Sequence, residues 1–274
     1  VTVGAGLAPA SAQVPPRPDA LIRRPNQSAV SGNDVYNTSG AGQSRTVVIG
    51  AGGLTRFYVQ VQNDSSARDS IRVVGTRESS AFAVRYFLGS RQVSPLVKDG
   101  TLILRDLAPG GRRTLTLEVE AKRGARPGSQ RTVVVSARSV ADGRIRDNVT
   151  ATVRLPEYTS EQRRIAELVN RTRRSNGRSS LPLQRQLTDK AQAWAEHMAR
   201  EGRLSHSNLP SGVPPGWRSL AENVGTGGSI AGVHNAFLAS SGHRANILGN
   251  FTHVGTGYAV GHGRVWICQV FMLR

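Results

Sequence analysis

Three side chains in the last third of the chain have the right types for chemistry. His206 stands in Leu204-Ser-His206-Ser-Asn208, Glu222 in Leu220-Ala-Glu222-Asn223-Val224, and His243 in Ser240-Ser-Gly-His243-Arg-Ala-Asn-Ile-Leu248. Two neutral imidazoles can hold Zn²⁺ at ~2.0–2.1 Å, and a glutamate can act as third ligand, orient an imidazole or take up a proton. Glu222 is also the last carboxylate side chain before the C-terminus, so any histidine chemistry downstream of it borrows an acid from here or from earlier. Two readings are open at this point. In one, His206 and His243 bind metal and Glu222 is the catalytic base. In the other, a hydrogen-bonded His–Glu–His cluster orders a cleft without metal.

Other constellations fail on their own chemistry. Gly227-Gly-Ser229-Ile-Ala231 nearly matches the G-x-S-x-G nucleophile elbow, but the last glycine is absent and no carboxylate side chain follows Ser229. Ser229 reads instead as a helix cap. His197 precedes Glu201 by four residues without the second histidine of H-E-x-x-H, which makes a surface pair. His234, His253 and His262 have no acid nearby in sequence, and His234 reads as a structural histidine. Cys268 is the single cysteine, so no intrachain disulfide exists, and its alternating surroundings mark it as a buried small apolar residue.

The elements that must position the three residues follow from periodicity. After Pro156-Glu157-Tyr158 the apolar period changes from two to 3.6. Thr159-Ser-Glu-Gln162 is a capping box opening a helix with Ile165, Leu168 and Val169 on one face and Arg163, Arg164, Arg171 and Arg174 on the solvated one. Asn176-Gly177 ends it. A second helix over Thr188–Glu201 buries Ala191, Trp194, Ala195 and Met198. Ser229 caps a third, with Ile230, Val233 and Phe237 buried, another turn begins at Gly242, and two β-like runs, Val254–Val260 and Val265–Phe271, close the chain.

In that order these features resemble the CAP (SCP) domain of cysteine-rich secretory proteins, antigen 5 and pathogenesis-related proteins, in its bacterial branch. The carrying residues are Ala191, Trp194 and Met198, the His206-Ser207 pair, Ala221-Glu222-Asn223, the run from Phe237 through Ser240 and Gly242-His243-Arg-Ala-Asn-Ile-Leu248, and Gly255-x-Gly257. The resemblance implies an α-β-α sandwich over roughly Tyr158–Arg274, with a cleft formed by His206, Glu222, Asn223, Ser240 and His243. Many eukaryotic members carry a second acid three residues after a tryptophan; Phe237 and Ser240 occupy those positions here. That departure tilts the reading towards binding, because a hydrolase usually wants both a base and an acid.

The rest of the chain is β in pattern. Short alternating runs, among them Phe57–Val61, Phe82–Tyr86, Leu115–Val119 and Val133–Ala137, are separated by turn clusters such as Asn63-Asp64-Ser65-Ser66 and Ala108-Pro109-Gly110-Gly111. They predict an all-β sandwich over 21–156, and the arrangement resembles the immunoglobulin-like modules of bacterial secreted proteins. An α+β CAP domain over 157–274 follows it. Residues 1–20 read as the remnant of a signal peptide, with an A-x-A site at Ala10-Ser11-Ala12, and a proline-rich linker. The net charge is +18, almost all of it arginine, and it is spread over both parts, with 22 basic and 11 acidic residues up to Pro156. Such a field favours anionic partners. No zinc-finger spacing or basic stripe with aromatics speaks for specific nucleic-acid binding, and no apolar run approaches the ~20 residues of a membrane span. The expected protein is secreted and wall-associated, and its cleft takes a small, lipidic or peptide ligand. The alternative is a Zn²⁺-assisted extracellular hydrolase of peptides or wall polymers using the same cluster.

Overall fold

The structure, a computed structural model, describes residues 15–274. The expected cleavage site at Ala10-Ser11-Ala12 lies outside the described residues. The chain divides into two compact units, one ending at Pro156 and one spanning Glu157–Arg274.

The first unit contains β1 (Pro18–Arg23), β2 (Ser44–Val48), β3 (Leu54–Asn63), β4 (Asp69–Gly75), β5 (Phe82–Leu88), β6 (Arg91–Gln92), α1 (Ser94–Lys98), β7 (Leu102–Leu107), β8 (Arg112–Ala121), β9 (Gln130–Ser139) and β10 (Arg146–Arg154). They form two five-stranded sheets, ordered β1-β3-β8-β5-β6 and β2-β10-β9-β4-β7. All pairings are antiparallel except β2 with β10. Alternate residues of both sheets point inward to a single core that includes Phe57, Val59, Tyr86, Leu117, Val135 and Ala151, as a period-2 pattern requires. Each large apolar side chain among them contributes about 1.5–3 kcal/mol when fully buried. Tyr86, wholly buried, satisfies its hydroxyl by donating to the Thr76 carbonyl at 2.9 Å.

Pro18 opens β1 inside the stretch expected to be linker. Proline is tolerated there because it is the first residue of an edge strand, where its missing N–H breaks no ladder. The buried Asp147 of β10 ties this strand in. Its carboxylate accepts from the Ala20 N–H at 2.8 Å, the Asn37 N–H at 2.9 Å and the Gln43 side-chain amide at 2.7 Å.

The second unit contains α2 (Ser160–Ser175), α3 (Arg185–Glu201), β11 (Ser219–Gly227), α4 (Ile230–Ala239), α5 (Ser241–Leu248), β12 (His253–Gly261) and β13 (Arg264–Leu273). The capping box is formed as expected: the Thr159 hydroxyl accepts from the Gln162 N–H, and the Gln162 side chain accepts from the Thr159 N–H. A three-stranded antiparallel sheet, β11-β13-β12, lies between two helical layers. Trp266, Cys268, Val270 and Met272 of β13 pack with Leu187, Ala191, Ala195 and Met198 of α3. Ile267 and Phe271 point the other way, towards Ile165 and Val169 of α2, Val233 and Phe237 of α4, and Ile247 of α5.

The Gly255-x-Gly257 pair explains how closely α3 lies on the sheet. A Cβ added at Gly255 would sit 2.2 Å from the Leu187 carbonyl carbon, and one at Gly257 would sit 2.0 Å from the Ala191 oxygen. Helix backbone rests on strand backbone there, and only glycine leaves the space.

Candidate functional site

Glu222 and Asn223 lie side by side in the middle of β11, an edge strand, and alternation sends their side chains to opposite faces of the sheet. Glu222 turns to the face of α3. Its Oε1 accepts from the Ser207 N–H at 2.9 Å and lies 2.8 Å from Nδ1 of His206, while its Oε2 accepts from the Ser207 hydroxyl at 2.6 Å and lies 3.6 Å from the Cys268 thiol. The carboxylate is buried, with a side-chain exposure of 3% against 64% for His206. His206 therefore stands over its acid with most of its ring in solvent. If Nδ1 carries the proton in this contact, Nε2 keeps its lone pair for a ligand.

The loop that carries His206 and Ser207 is pinned to α3. The Trp194 indole N–H donates to the Ser205 carbonyl at 2.7 Å, and Lys190 Nζ donates to the Asn208 carbonyl at 2.8 Å. A cavity of about 360 Å³ opens beside them, lined in part by Asp189, Lys190, Trp194, Ser207 and Ser211. It adjoins the Glu222 cluster through Ser207; neither His206 nor His243 lines it.

Asn223 points to the other face and is wholly buried, so it holds the site from behind instead of lining a cleft as the sequence leads one to expect. Its amide donates to the His243 carbonyl and to Gln269 Oε1, both at 3.1 Å, and its Oδ1 accepts from Asn246 Nδ2 at 2.9 Å. Asn246 also donates to the Glu222 carbonyl at 3.3 Å. This amide ladder fixes the first turn of α5, where half-buried His243 packs edge-on against Phe237 at 4.9 Å between centroids. The far end of α5 is held by buried Arg173, whose Nη1 donates to the Ile247 and Gly249 carbonyls at 2.7 and 2.8 Å. Ser240 sits at the junction of α4 and α5 without a side-chain capping bond. Burial holds the His243 imidazole below the ordinary histidine pKa, and the neighbouring His206 lowers it further.

The fold thus brings His206, Glu222 and His243 together around one edge of the sheet. Ser207, Asn246, Gln269, Arg173 and Trp194 complete the arrangement, and sequence reasoning does not assign them to the site. The signal for Ser207 is its place beside His206; for Arg173 there is none, since it falls among four solvated arginines. Of the other histidines, His234 is buried and shares a 2.9 Å hydrogen bond with the Thr172 hydroxyl, and burial lowers its pKa. His197 stacks on Trp194 at 4.5 Å rather than pairing with Glu201. Ser229 caps α4 through a bond from the Gly232 N–H.

The family described as "Cysteine-rich secretory protein family", CAP, matches residues 166–270. The second unit carries a CAP domain. The chain is 29% identical over 130 residues to the protein YkwD of Bacillus subtilis strain 168, a match that covers 44% of this chain and 50% of that protein. It spans about half the length of this curated relative. Among solved structures, the chain is similar to an extracellular SCP-domain protein from Bacillus anthracis, at 15% identity and a TM-score of 0.36, covering 79% of this chain and 64% of that one. It is also similar to venom allergen-like protein 4 of Schistosoma mansoni, at 17% identity and a TM-score of 0.37, covering 42% and 90%. The match to the Bacillus subtilis protein supports the bacterial branch of the family. No described helix is long and apolar enough to cross a membrane.

Proposed function

We propose that the chain is an exported bacterial protein whose CAP domain binds a small, lipidic or peptide ligand at the edge of β11, with His206 and His243 as the contact residues. The first unit, a two-sheet sandwich, is read as an immunoglobulin-like module that carries the CAP domain at the cell surface. The observation that favours binding over hydrolysis is the state of Glu222. Both of its oxygens are engaged, by His206, by both groups of Ser207 and by Cys268, and the carboxylate is buried. A general base needs an open lone pair facing a water or substrate. Glu222 instead orients His206, a positioning role.

The donor set fits a metal held by two imidazoles. His206 has its Nδ1 tied to a carboxylate, the usual second partner of a metal-bound histidine, and His243 is biased towards its neutral form. Among the described residues no group of three or more His, Cys, Asp or Glu side chains is disposed to hold a metal ion. On this reading His206 and His243 alone would hold Zn²⁺, with the remaining positions left to water or ligand. Zinc bound there would supply a Lewis acid to a ligand carbonyl or carboxylate. Glu222 keeps the His206 ring in register whether or not metal is present.

Calorimetric titration of the whole protein with Zn²⁺ tests this. One site is expected in the wild type, lost in His206→Ala plus His243→Ala and weakened on acidification, since protonated imidazole is no ligand. Hydrolysis of a peptide library or of wall fragments by the wild type, abolished in the double variant, would overturn the binding reading in favour of the hydrolase.

A further inference from the structure

On the outer face of the β2-β10-β9-β4-β7 sheet, the strand registers align arginines with one another. Arg146 of β10 lies directly opposite Arg138 of β9, and Arg138 lies directly opposite Arg72 of β4. Arg105 of β7 flanks the row: Ile103 is the residue opposite Arg72, and Arg105 is two residues on, on the same face. All four point away from the core, whose inward residues on these strands are Val149, Val135, Ala137, Ile71, Val73 and Leu104.

Adjacent strands are ~4.8 Å apart, so the three aligned arginines span ~10 Å across three strands, with Arg105 displaced along the fourth. Like charges directly opposite in a sheet are destabilising, and two in succession in one row are costly unless counter-charge is supplied. The protein supplies little. Arg72 donates to the Gly100 carbonyl and Arg138 to the Ser136 hydroxyl, both neutral acceptors. Among the described residues the Arg105 and Arg146 side chains have no hydrogen-bond or ion-pair partner. Of the acids on these strands and their turns, Asp142 is engaged by Arg144 in the β9–β10 hairpin, Asp99, next to the Gly100 that Arg72 holds, is paired with Arg77, Asp147 is buried inside, and exposed Asp106 stands beside Arg105.

We infer that this face docks a linear phosphodiester polymer of the cell envelope, of the polyglycerol-phosphate type, laid across the strands. Guanidinium forks match phosphate oxygens, and a row of them one strand apart fits a chain with regularly repeated phosphates. The sheet positions around the row are filled by Thr, Ser, Asn, Val and Ile103, with no aromatic ring, so the face offers nothing on which nucleic-acid bases would stack. The choice of an envelope polymer rests on the export reading above. The surface itself is independent of the CAP site, and neither result decides the other.

The test is binding of the full chain to polyglycerol phosphate at graded NaCl concentrations. Arg72→Ser/Arg138→Ser/Arg146→Ser is compared with a charge-matched control, Arg91→Ser/Arg112→Ser/Arg113→Ser. The row variant is expected to bind at least 10-fold more weakly, with its log–log salt slope reduced by about 2. The control should stay within about 3-fold of wild type. Equal losses in both variants would overturn the inference in favour of diffuse charge. Duplex DNA or phosphatidylglycerol vesicles bound as tightly as the polymer, and with the same dependence on the row, would overturn the choice of partner. Arg138→Glu serves as the variant least prone to misfold, since it sets an acid between two arginines. It is expected to raise the melting temperature while losing at least 10-fold in polymer binding, and unchanged binding would count against the row.

Discussion

Two carboxylates, Glu222 and Asp19, are buried under opposite conditions. Glu222 is surrounded by donors, and substituting glutamine replaces one acceptor oxygen with an NH₂ that faces donors already in place. Glu222→Gln is therefore expected to loosen His206 and weaken Zn²⁺ binding about 10- to 100-fold, as loss of a histidine's outer partner does. Titration calorimetry on wild type and variant would show it, and equal affinities would remove the positioning role. Asp19 has one donor among the described residues, the Asp34 N–H at 3.2 Å. Burial pushes its pKa up to about 7, with the charges of Asp64, Asp147 and Asp34 adding to the rise against that N–H. An unfolded aspartate titrates near 3.8, so between that value and about 7 the folded chain holds a proton that the unfolded chain has released. By linkage this group's contribution to stability declines as pH rises through that window and levels off above it. Asp19→Asn removes the decline. In urea unfolding at pH 4.5 and pH 7.5 the variant should gain on the wild type at the higher pH, and a parallel shift at both would refute the assignment.

At the scale of elements, α3 and α5 are held by backbone contacts that one residue can break. Gly257→Val places side-chain carbon where the Ala191 carbonyl already stands, and α3 has no room to move off a sheet it packs along its whole length. Loss of the folded CAP domain is expected, seen as the disappearance of its cooperative unfolding transition. Arg173→Met keeps apolar volume but leaves the Ile247 and Gly249 carbonyls without their charged donor. A cost of about 3 kcal/mol is expected in denaturant unfolding, with His243 loosened as α5 frays. Helices α2 and α3 are legible in the sequence because each joins a capping signal or terminal glycine to a 3.6-residue apolar stripe. The strands of the first unit are legible because one face is buried and the other wet. Strand β11 is not. The buried polar pair Glu222-Asn223 interrupts the apolar alternation at the strand's centre and reads locally as loop. The same pair is the heart of the site, so the strand is hidden by the residues that make it useful. The contacts that hold His243 are equally invisible, since Asn223, Gln269, Asn246 and Arg173 are brought together only by the sheet and the turn into α5.

For the molecule as a whole, the two units have separate hydrophobic cores with no shared residue. Units built in this way unfold as separate cooperative blocks. Scanning calorimetry is expected to resolve two transitions, with Gly257→Val eliminating one and leaving the other within about 2 °C of wild type, since a small domain shifts by a few degrees only when it loses ~1 kcal/mol. A single transition abolished by that substitution would show the blocks to be coupled.

The hydrogen bond from Ala20 N–H to Asp147 spans 127 positions of the chain. The first strand of the sandwich reaches its buried partner only after nearly the whole unit has been synthesised, and until then a carboxylate built for the interior stays hydrated. Loop closure over that length must be completed before the contact gives anything back. A nascent chain of this topology therefore remains unlocked while it emerges, and the late arrival of residue 147 acts as the latch.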